Sequence, residues 1–149
     1  MRILAALAAL AIAGCAAVVP SPPPPGSAPA PAPEAAPPSS RTENPAVAGL
    51  LDAARADVAS GRLVNAAASL ERALRIEPRN PRLWAELARV RFKQGDYAQA
   101  ESTARRSNSW AGSDSALRAE NWRLIAQSRE ARGDGEGART ALEQAERQR

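Results

Sequence analysis

Trp84-Ala85-Glu86-Leu87-Ala88, followed by Phe92-Lys93-Gln94-Gly95-Asp96-Tyr97-Ala98-Gln99-Ala100, decides how the rest of the chain is read. A tryptophan and a leucine supply large apolar contacts by which one helix packs on the next. A glycine then marks the helix end, where a left-handed backbone turn suits a residue without a Cβ. Small residues sit where two helices cross closely and a larger side chain would push them apart.

Sliding the chain along itself finds this unit twice more. Leu50 falls on Trp84 at a shift of 34 residues, and on Trp122 after a further 38. In that alignment Ala54, Ala88 and Ala126 coincide, as do Gly61, Gly95 and Gly133, then Ala66, Ala100 and Ala138. Ala73, Ser107 and Ala145 close each unit, and the first runs into Pro78 as a helix end. Glycines recurring at one phase argue against a plain bundle or coiled coil, which needs sustained heptads. The second spacing is four residues longer, and the excess lies within Ser107 to Arg118. It implies either a looser loop around Gly112 or an added helical turn capped by Ser113 or Asp114. Trp110, in the same stretch, is expected to pack back onto the second unit.

With its period of 34 and a helix–turn–helix in each unit, the chain resembles the tetratricopeptide (TPR) repeat family. The middle unit matches the family pattern closely. The first lacks the tryptophan and tyrosine, and the third carries Gly135 and Gly137, which weaken its second helix by roughly 0.5–1 kcal/mol each. The resemblance implies an all-α fold, a short superhelix of three repeats at about 47–80, 81–114 and 119–149, in a domain spanning 46–149. It also implies a concave groove lined by the first helix of each unit and receiving a partner's peptide or helix. Carried over by alignment, the groove residues are Leu51, Arg55 and Val58; Ala85, Arg89, Phe92 and Lys93; then Arg123, Gln127 and Glu130. Arg55, Arg89, Phe92, Lys93, Arg123 and Gln127 are the expected partner contacts. Four of these are basic, so an acidic segment of a partner protein would complement them. The family's carboxylate clamp for chaperone tails is not matched, because Leu51, Glu86 and Glu120 stand where Lys or Asn is needed. Glu101 is expected to face outward, away from the groove.

Ahead of the repeats lie two other segments. Eleven of the 13 prolines fall between Pro20 and Pro45, in a stretch of Pro, Ala and Ser with too few large apolar side chains to fold. Prolines bias such a tether toward an extended form, with a reach on the order of 80 Å. Arg2, an apolar run from Ile3 to Ala13 and Gly14-Cys15 describe a secretory signal. Ile12-Ala13-Gly14-Cys15 also resembles the lipobox of bacterial lipoproteins, which implies a signal peptide at 1–14, cleavage before Cys15 and acylation of that cysteine. The lipidated residue and its linker then span 15–45. An uncleaved anchor fits less well, since Ile3 to Val19 is at the lower limit for a membrane span. Ala16 in place of Asp implies, by the same resemblance, an outer-membrane location facing the periplasm.

The composition narrows the function. There is no histidine and one cysteine, so the usual metal sites, histidine-assisted nucleophiles and internal disulfides are unavailable. No pair of carboxylates stands apart from ordinary helix surface charge, and no enzyme, cofactor or metal is expected. Basic residues exceed acidic ones by four with signs interleaved, and no basic run carries aromatics, which argues against nucleic acid. The expectation is a membrane-anchored adaptor of the cell envelope. The alternative is a self-associating structural lipoprotein, a homo-oligomer formed because no seventh helix covers Leu142. Lipoproteins of this design resemble accessory factors for pilus assembly, barrel insertion or cell-wall synthesis.

Overall fold

The computed structural model describes residues 44–149. The expected signal peptide, Cys15 and the tether lie outside them, apart from the tether's last two residues. Among the described residues there are six helices and no strand: α1 (Pro45–Ala59), α2 (Leu63–Ile76), α3 (Pro81–Lys93), α4 (Tyr97–Trp110), α5 (Ser115–Glu130) and α6 (Gly135–Glu146). None of them is long and apolar enough to cross a membrane.

Local chemistry explains where each begins and ends. Asn44 and Asn80 cap α1 and α3 by accepting from the backbone N–H of Ala46 and Arg82, each at 3.0 Å, and a proline opens both helices. Pro45, read above as the end of the tether, is thus the first residue of α1. Gly61, Gly95 and Gly133 all take positive φ, at 73°, 84° and 80°. After each, the next N–H bonds back to a carbonyl of the last turn: Arg62 to Asp57, Asp96 to Arg91 and Asp134 to Arg129. These are three copies of one left-handed cap, and they reverse the chain inside each repeat.

The four extra residues go into a helix. The connections before α3 and α5 have equal length, whereas α5 runs to 16 residues against 13 for α3. Asp114 caps the added turn by accepting from Leu117 N at 3.0 Å. The third unit therefore starts at Ser115, ahead of the boundary read from the sequence.

Every small residue aligned across the units is buried. Ala54, Ala88 and Ala126 lie at the crossing of paired helices, and so do Ala66, Ala100 and Ala138; Ala73, Ser107 and Ala145 complete the set. Each pair packs within its repeat and then on the next, and α3 touches α5 as well as α4. One core joins Val47, Leu70, Leu74, Leu83, Leu87 and Val90, with Trp84 packed against it. A second joins Ala88, Ala104, Ile125, Ala126 and Ala141, flanked by Trp122 and Leu124. Trp110 is 39% exposed and lies under the Arg79 guanidinium at 5.3 Å, against the connection that ends the first unit rather than back onto the second.

Candidate functional site

The first helices meet along one face, and there Leu51, Arg55 and Val58 of α1 face Glu86 and Val90 of α3. Together with Leu70 they line a mostly apolar cavity of about 190 Å³. Three residues named from the sequence are therefore gathered in one hollow, large enough for an aliphatic side chain and open at its rim.

The charges along this face are largely answered from within. Arg89 donates to Glu86 at 2.8 Å and to Glu120 at 2.7 Å, tying α3 to α5. Arg55 pairs with Asp52 at 3.2 Å. Such exposed pairs contribute about 0–1 kcal/mol each, so a partner carboxylate could displace them. Lys93 is exposed and Arg123 half-buried, and neither forms an ion pair among the described residues. Phe92 sets its ring edge-on to Tyr97, 5.3 Å between centroids, and keeps part of its surface open.

Other expected residues lie elsewhere. Ala85 is buried beneath Leu117 and Ala111, because the added turn of α5 lies over it. It is not a groove residue. Gln127 and Glu130 are exposed but face a separate hollow at the α6 end of the domain, together with Leu142. Glu101, expected to point outward, is 7% exposed. Its carboxylate accepts from Arg105 at 2.6 Å, Arg129 at 2.9 Å and Arg132 at 3.1 Å. Arg129 also donates to the Gly137 carbonyl at 3.0 Å, so one arginine joins α4, α5 and the start of α6. The spacing held the clue: Glu101 lies between Ala100 and Ala104, on the stripe of α4 that faces the core. The pairings at Asp52–Arg55 and Glu86–Arg89 were equally readable, at three residues apart on one helix.

Among the described residues, no group of three His, Cys, Asp or Glu side chains could hold a metal ion. The fold defines a repeat protein, and the comparisons agree. The tetratricopeptide-repeat family model matches residues 57–127, and the chain belongs to that family. Its domain is similar to the globular C-terminal domain of P. aeruginosa LpoP, at 50% identity and a TM-score of 0.68. That match covers 69% of this chain and 97% of the LpoP domain. No curated protein is similar enough in sequence to count as a match.

Proposed function

We propose that this chain is a lipid-anchored adaptor of the bacterial cell envelope. It is held to the outer membrane through Cys15, faces the periplasm and receives a segment of a partner protein along its first helices. The observation that carries this reading is the cavity of about 190 Å³ between α1 and α3, lined by Leu51, Arg55 and Val58. An apolar side chain of the partner enters it. Around it, Arg55, Arg89, Phe92, Lys93 and Arg123 form the remaining contacts, with acidic groups of the partner meeting Lys93 and Arg123 directly. Arg89 would exchange Glu86 and Glu120 for a partner carboxylate, which costs little because the resident pairs are exposed. The match of the tetratricopeptide-repeat family model to residues 57–127 supports a protein-interaction module.

A photo-crosslinking residue at position 89, in the native host, tests this. Ser102, exposed on α4, is the control, since Glu101 is buried. A discrete adduct to another protein from position 89 and none from position 102 is the expected result. Adducts only to a second copy of the chain, or none at all, would remove the groove from the account.

A further inference from the structure

The hollow at the α5–α6 end is the α1–α2 cavity again, without its cover. Ala54, Val58 and Leu70 line the first, and their counterparts two repeats on, Ala126, Glu130 and Leu142, line the second. The volumes are about 190 Å³ where α3 lies across the wall and about 470 Å³ where nothing among the described residues does. Leu70 is accordingly 1% exposed and Leu142 49%. The next position tells the same story. Glu71 takes Arg91 from α3 at 2.5 Å, whereas its counterpart Glu143 is exposed and has no ion-pair partner among the described residues. Glu130, standing where Val58 does, adds a second carboxylate to this rim.

The molecule thus contains its own template for what fits here. Across α1 and α2, α3 presents Leu83, Leu87 and Val90 to the apolar wall and Arg91 to the carboxylate. We propose that the open end receives an amphipathic helix from a partner protein. That helix bears large aliphatic side chains in the spacing of Leu83, Leu87 and Val90 and a basic residue directly after the third. A second copy of this chain is a poor occupant. Its α1, laid down as α3 is, brings Gly49, Ala53 and Ala56 to the apolar contact and Asp57 to Glu143. Bulk is missing and the charges repel. The proposal stands apart from the groove reading, since it concerns other residues and a basic rather than an acidic ligand.

The probe is a hydrocarbon-stapled helix carrying the sequence Pro81–Lys93, fluorescently labelled and titrated against the full chain. Saturable binding is expected, weakened at least tenfold by Leu142→Glu and by Glu143→Arg. A probe carrying Arg91→Glu should recover binding to the Glu143→Arg protein, which a merely structural effect would not produce. Both substitutions are at exposed positions, and circular dichroism checks that the helices persist. Equal binding by all variants would overturn the proposal, as would no binding at all. It would also fall if Leu142→Glu only converted a sedimenting dimer to a monomer, for then a second copy covers the end.

Discussion

The two junctions between repeats are built from the same helices in the same register, yet different forces hold them. Between α2 and α3, Leu70, Leu74, Leu83, Leu87 and Val90 form an apolar seam. Between α4 and α5 only Ile125, in the place of Leu87, keeps its bulk; the other aligned positions are smaller or polar, with Ala104 where Leu70 stands and Asn121 where Leu83 does. Directional bonds take over there. Asn121 donates to Ser107 at 2.7 Å and to Asn108 at 2.9 Å, and Ser107 donates to the Pro81 carbonyl at 2.8 Å. Glu101 and its three arginines close the outer side. At the first junction the counterpart of Glu101 is Ala67, and an open hollow of about 580 Å³ remains, rimmed by Val64, Glu71 and Arg91. An apolar seam tolerates sliding and repacking, whereas a bonded one fixes a single register and fails when one member is lost. The repeat pattern prescribes that helices stack and leaves open what joins them.

Breaking each junction in turn should expose the difference. Leu83→Ala is expected to have the largest effect, destabilising the domain by about 3 kcal/mol in urea titrations through loss of burial and a residual cavity. Glu101→Ala leaves Arg129 with only the more distant carboxylate of Asp134, at 4.0 Å, while Arg105 and Arg132 retain access to water, so about 2 kcal/mol is expected from the same titration. Gly95→Ala forces a Cβ into a backbone at φ 84° and should cost about 1 kcal/mol in thermal melts. Arg89→Ala removes two exposed pairs and should change stability by less than about 0.5 kcal/mol. If it weakens adduct formation from a neighbouring crosslinker at Phe92 even so, the residue serves the partner and not the fold.

Much of this was legible in the sequence for physical reasons. Gly61, Gly95 and Gly133 mark a backbone conformation that other residues resist, and the aligned alanines mark crossings that admit nothing larger. Both constraints are local, so spacing alone finds them. Ala85 was misplaced because its surroundings are set by another helix, and Glu101 because its charge was weighed above its place on the buried stripe of α4, two of the three partners of that charge lying on other segments. The burial of Ala85 depends on a turn added to α5, and that of Glu101 on arginines 28 and 31 residues away in sequence. The groove charges were read one residue at a time, whereas the structure pairs Arg55 with Asp52 and Arg89 with Glu86 and Glu120.

If the second junction is held by bonds and the first by apolar burial, the repeats should not open together. Amide hydrogen exchange of Glu101→Gln, which removes the charge and keeps the shape, measures this directly. The account predicts exchange faster by roughly tenfold or more in α5 and α6, with α1 to α3 unchanged, as expected of a chain stabilised by nearest-neighbour contacts. Uniform acceleration across all six helices would contradict it, showing one cooperative unit in which the chemistry of the individual junctions makes no difference.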